Sequence, residues 1–129
     1  MSSKPQQALA AELSAQLGSD WDVLDMTDGL RDNIAGRTLY IEQGGVSAYQ
    51  NTPNDLRTDQ LLFDFTLTIA SRRSNSPEAV DEITDSLIEM KPILDGSKNI
   101  YWSEAERYVL TNSRAAYVLN IRYLYTIKE

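Results

Sequence analysis

Leu61-Leu62-Phe63-Asp64-Phe65-Thr66-Leu67-Thr68-Ile69-Ala70, residues 61–70, decides the architecture. Leu61, Phe63, Phe65, Leu67 and Ile69 are large and apolar, and Leu62, Asp64, Thr66, Thr68 and Ala70 interleave them. Period two is the mark of a strand with one buried and one wetter face, and the β-branched and aromatic content suits a pleated surface. Downstream, Ser71-Arg72-Arg73-Ser74-Asn75-Ser76 breaks the alternation with turn formers. Ser76-Pro77 then opens a helix, because serine caps a free backbone N–H and proline fits the first helical position. Glu78, Asp81 and Glu82 in its first turns suit the helix dipole. Val80, Ile83, Leu87, Met90 and Leu94 recur at spacings of three and four, so one stripe of this helix covers the sheet. Pro92 predicts a kink or loosening near residues 89–91, and Asp95-Gly96 ends the helix.

Upstream, Leu9, Leu13 and Leu17 fall at i, i+4 and i+8 in an Ala- and Leu-rich segment. Pro5 can take its first turn and Gly18 its C-terminal cap. The polar face carries Gln and Glu rather than Lys and Arg, so this short helix is expected to pack on the domain and not on a membrane. Residues 38–42 read as a strand, with Leu39 and Ile41 on one side and Tyr40 on the other. Residues 43–60 hold Gly44, Gly45, Tyr49, Asn51, Pro53 and Arg57 and run longer than an ordinary connection. They are expected to form a projecting loop, either a hairpin reaching a partner or a mobile segment. Gly44-Gly45 is no phosphate cradle, since neither a Lys-Ser/Thr pair nor a helix follows.

Near the C-terminus, residues 100–102 and 108–110 read as two short extended pieces, and Thr111-Asn112-Ser113-Arg114 as a turn. A last strand over 116–128 sets Tyr117, Leu119, Ile121, Tyr123, Tyr125 and Ile127 on one face. The tyrosines read as sheet packing or as an aromatic contact patch. The whole predicts one α+β domain over 1–129: a mostly antiparallel sheet of about four to five strands, a long helix on one face and a short N-terminal helix.

Composition narrows the chemistry. The chain has no cysteine and no histidine, which removes disulfides, thiolate metal sites and the commonest general base and metal ligand. Its net charge is −7, and a nucleic-acid binder normally shows a basic stripe instead. No apolar run is long enough to cross a bilayer, and Met1 to Gln7 has no apolar core like that of a secretory signal. Five aspartates between Asp20 and Asp32 invite a calcium-loop reading, but Leu24, Asp25 and Arg31 stand where a ligand, glycine and glutamate are required. A carboxylate pair could in principle serve glycoside hydrolysis, yet no acid sits in an apolar context that would raise its pKa. Arg72-Arg73 could hold a phosphate, although adjacent arginines in a turn are ordinarily solvated or paired with acids. No catalytic residue, cofactor or metal is expected.

A short helix, strands with a long projecting loop, the strand ending in Ile69-Ala70-Ser71, the Ser76-Pro77 helix and closing strands through Tyr117 to Tyr125 follow one another. In this order of parts, the chain resembles the small tail-terminator (tail-completion) proteins of long-tailed bacteriophages, and more loosely tail-tube subunits. The resemblance covers nearly the whole chain and rests on element order, size and strand character. It implies a homo-hexameric ring in the virion tail, assembled in the host cytoplasm, that caps the tail-tube protein, stops its growth and meets a head–tail connector protein. In such rings the sheet faces the channel, which would make Asp64, Thr66, Thr68, Asn120, Arg122, Thr126 and Lys128 channel-facing. DNA would pass without specific binding, since six copies at −7 each carry about −42. The loop residues Gly44, Gly45, Tyr49, Asn51, Pro53 and Arg57 would then be subunit contacts. The alternatives are a tail-tube or head–tail neck subunit, or an acidic decoy that blocks a basic partner.

Overall fold

The computed structural model describes residues 4–18, 21–25, 37–52, 55–111 and 113–126, with the backbone alone at 25, 47–52, 55–60 and 126. Seven elements follow in order: α1 (Pro5–Gln16), β1 (Trp21–Asp25), β2 (Arg37–Thr52), β3 (Asp55–Ser74), α2 (Pro77–Gly96), β4 (Ile100–Val109) and β5 (Arg114–Thr126). The strands form one sheet in the order β1-β2-β3-β5-β4. β1 runs parallel to β2, and the other neighbours are antiparallel. This is the expected α+β class, with β3 at the centre because its alternation is the cleanest in the chain.

Both helices lie on one face. Leu9, Leu13 and Leu17 of the N-terminal segment and Met90 and Leu94 of α2 share a core with Leu39, Ile41, Phe65, Leu67, Ile69, Leu119 and Ile121. Aromatic rings close the same layer, Phe63 meeting Tyr125 at 5.9 Å and Phe65 meeting Tyr123 at 6.1 Å, both edge-on. The tyrosines of β5 therefore serve as sheet packing, edge-to-face being a favoured aromatic geometry. Two polar ties fix the helices: the Ser97 hydroxyl donates to Glu12 at 3.0 Å, and Arg37 pairs with Glu89 while its guanidinium stacks 4.8 Å above the Trp21 ring.

α2 begins as expected, the Ser76 side chain accepting from the Ala79 N–H at 3.2 Å. Its buried positions are Ala79, Ile83, Ser86, Met90 and Leu94. Val80 and Leu87 are only half-buried, and Ser86 is tolerated inside because its hydroxyl donates to the Glu82 carbonyl. The helix assignment runs without a break through Pro92 to Gly96. The first helix ends on Leu17, in extended conformation, as its C-cap, one residue before Gly18.

Three strand boundaries differ from the sequence expectation. β2 does not stop at residue 42 but continues to Thr52, so 43–60 is chiefly two paired strands, the hairpin form of the two expected there. The pairing shifts register between Gln43 and Val46, and the bulge absorbs Gly44-Gly45 without ending the ladder. β3 runs on through Ser71, Arg72 and Arg73 to Ser74, leaving Asn75-Ser76 as the turn. β4 is one strand, since a shift between Trp102 and Ala105 carries Ser103-Glu104 across what reads as a gap. Among the described residues, no helix is long and apolar enough to cross a membrane.

Candidate functional site

With both helices on one side, the other side of the sheet is where polar residues of β3 and β5 collect. Odd-numbered residues of β3 enter the core, so Asp64, Thr66 and Thr68 face away from it. Register decides their partners: Asp64 stands opposite Arg122, and Thr66 opposite Asn120. The Arg122 guanidinium lies 3.6 Å from the Asp64 carboxylate, and the Thr66 hydroxyl donates to Asn120 at 3.3 Å. Tyr101 of β4 lies across from Arg122 and is half exposed. On the other flank the Gly44 backbone closes on β3, where a Cβ would sit 3.2 Å from the Asp64 carbonyl oxygen. Glycine is the residue that permits that approach. Together these groups line an open concavity of about 600 Å³.

This face is not open along its length. Thr68 is 2 % exposed, and Thr38, Tyr40, Ala70 and Ala116 are buried around it. The expectation that Thr68 lines a wet surface is therefore corrected: alternation puts it on the right side, but it lies in the buried half. Asp64, Thr66, Asn120 and Arg122 are brought together as expected. Thr126 continues the alternation as the backbone partner of Gln60, and Lys128 lies outside the described residues. Tyr101 and Ser103 also border the concavity. Sequence reading missed them because β4 looked like two fragments; the apolar residue Ile100 beside Tyr101 was the available signal.

The residues expected on a contact loop are dispersed along a β-ribbon. Gly44 and Gly45 lie at its root, the backbones of Tyr49 and Asn51 belong to β2 and that of Arg57 to β3, and Pro53 lies outside the described residues. Among the described residues, β5 pairs with β3 from Gln60 onward. Beyond that point, among the described residues, β2 and β3 pair with each other alone, at Gln50 with Leu56 and Thr52 with Asp55. From Ala48 to Thr52 the ribbon extends about 13 Å, at about 3.4 Å per residue.

Two carboxyls of α2 are held below their ordinary range. Burial raises the Glu82 carboxyl, but the Arg72 N–H, the Ser71 hydroxyl and the Arg72 guanidinium outweigh it and leave it below its ordinary range. Asp95 is also lowered, by hydrogen bonds from Lys91 and the Trp102 indole. Both carboxylates tie α2 to neighbouring strands. Among the described residues, no three acids are grouped so as to hold a metal ion. Of the aspartate-rich stretch considered for calcium, residues 20 and 26–32 lie outside the described residues, and Trp21 to Asp25 form β1.

No family model matches the chain, and no curated protein matches it.

Proposed function

We propose that this chain is a ring-forming structural subunit of a virion tail, of the tail-terminator kind, that caps the tail tube and offers the surface where the head joins. The observation that carries the reading is the β2–β3 ribbon, in which, among the described residues, 48–52 and 55–59 pair with no third strand. Two strands paired only with each other are marginal in water, and their outer edges leave backbone N–H and C=O groups for another chain. A subunit whose ribbon reaches a neighbour by a contact of unlike surfaces generates a closed ring when the rotation closes. The open strip of Asp64, Thr66, Asn120 and Arg122 supports the second half of the proposal. It is polar, of mixed charge and backed by a continuous core, which suits a channel wall that DNA passes without adhering.

Native mass measurement and negative-stain micrographs of the purified protein, alone and with tube protein, test this. Single rings of six copies are expected, and deleting residues 45–54 should leave a folded monomer. Tubes of unlimited length in place of rings would favour a tail-tube subunit. A strict monomer at high concentration, with and without tube protein, would sink the reading.

A further inference from the structure

Four of the chain's twelve basic residues converge on one corner, at the end of the sheet where β3 enters α2 and β4 turns into β5. Arg72 and Arg73 close β3, and their guanidiniums meet the Glu82 carboxylate at 3.0 and 3.5 Å. Arg114, opposite Ser74 in the register, donates to the Arg72 carbonyl at 2.8 Å. Arg107 of β4 donates to the Asn75 side chain at 3.0 Å, and the Asn75 N–H donates to the Ser113 carbonyl across the same corner. The side chains of Arg72 and Arg73 remain 50 % and 55 % exposed, and Arg107 is exposed.

The cluster is held rather than loose. Glu82 accepts from the Ser71 hydroxyl, the Arg72 N–H and the Arg72 guanidinium, and the Ser71 oxygen in turn accepts from the Arg73 N–H. One carboxylate thus fixes the backbone under two arginines while neutralising only one charge. Asp81 at the start of α2 lines the same open pocket as Arg107 and adds a negative charge to that side of the corner. Guanidiniums fixed in this way present forked donors that match carboxylates two bonds at a time.

We infer that this arginine corner is the docking half of a head-to-tail contact with a second copy of the same chain, received by carboxylates on that copy. The inference rests on the ring reading above and names the surface that would drive it. Charge complementarity argues for the occupant. With four bases gathered here beside Glu82 and Asp81, the other eight stand against seventeen acids, so the rest of each copy is more acidic than the whole. Glu42, Asp85 and Glu104 are exposed acids outside both the corner's own contacts and the Asp64–Arg122 strip. A contact between a basic corner and an acidic surface joins unlike patches, which is what head-to-tail closure requires. Long-range repulsion between the acidic subunit and nucleic acid works against a DNA occupant.

The test is the double charge reversal Arg73→Glu with Arg107→Glu, beside the charge-conserving pair Arg73→Lys with Arg107→Lys. Association is read by sedimentation velocity at low and high salt, and folding by thermal melts. The wild type should assemble and weaken with salt, the Glu pair should associate at least about tenfold more weakly, and the Lys pair should retain most of the assembly. Small amounts of the Glu pair mixed into wild type should yield truncated oligomers, since such a copy can be an end but not a link. Normal rings from the Glu pair would overturn the corner and leave the ring reading standing. A wild type that never self-associates would overturn both. Binding of labelled duplex DNA that is lost in the Glu pair, with rings unchanged, would give the corner to nucleic acid and overturn the inference.

Discussion

Leu67 and Thr66 are neighbours in the chain and opposites in the structure. Leu67 is fully buried beneath the helices, between Ile41 and Leu119 on the flanking strands. Thr66 lies on the outer side, bonded to Asn120 at the edge of an open concavity. One face is a hydrophobic layer whose cohesion grows with the apolar area removed from water. The other, in its open half around Asp64 and Thr66, is a row of cross-strand polar pairs that water can replace with little loss. In this half of the sheet the pleat of one strand separates the core from the polar strip. The outer face can change its chemistry without unfolding the inner one.

The largest test of that contrast is Leu67→Ala against Thr66→Ala. Truncating the leucine leaves a cavity in a layer with few ways to collapse and should cost about 2–5 kcal/mol. The threonine change should stay within about 0.5 kcal/mol. Urea unfolding midpoints measure both, and comparable losses would mean that the outer face bears structure too.

Glu82 comes next, because it joins the sheet to α2 by polar means. Glu82→Ala strips an acceptor from the Ser71 hydroxyl and the Arg72 N–H and should cost about 1–3 kcal/mol. The folded carboxyl lies below its ordinary value, so its contribution is fully present above the unfolded value. It is lost as pH falls through the lowered folded value. Melting temperatures followed below pH 5 should fall less steeply for Glu82→Gln than for the wild type. Parallel curves would show that the carboxylate is not tied to the strand in solution.

The inner face could be read from the chain alone, because core positions declare themselves by period: Phe65, Leu67 and Ile69 by two, and Ile83, Met90 and Leu94 by three and four. What escaped reading depends on partners distant in sequence. Gly44-Gly45 looks like a loop until β3 supplies a ladder along which a bulge can be carried. Ser103-Glu104 looks like a break until β5 pairs on both sides of it. Alternation assigns Thr68 to the outer face but says nothing of what covers it there. Arg107 and Arg114 stand 34 and 41 positions beyond Arg73 in the chain. Only the β3–β5 and β4–β5 registers bring them to Arg72 and Arg73.

The smallest expected effect sharpens the contrast most. Asp64 and Arg122 face each other at 3.6 Å with side chains 59 % and 67 % exposed, in a geometry that solvent and salt can screen. A double-mutant cycle of Asp64→Asn and Arg122→Gln should give a coupling of about 0–0.5 kcal/mol that shrinks further at high ionic strength. The same cycle run on assembled rings has a different expectation. If the strip lines a water-filled channel, the pair stays hydrated and the coupling stays small. If a neighbouring subunit covers the strip, the pair loses water and the coupling should rise above about 1 kcal/mol. A large coupling in the isolated chain would mean that this half of the outer face is already shielded, and the division between a sealed inner layer and a wet outer strip would fail where it is drawn most sharply.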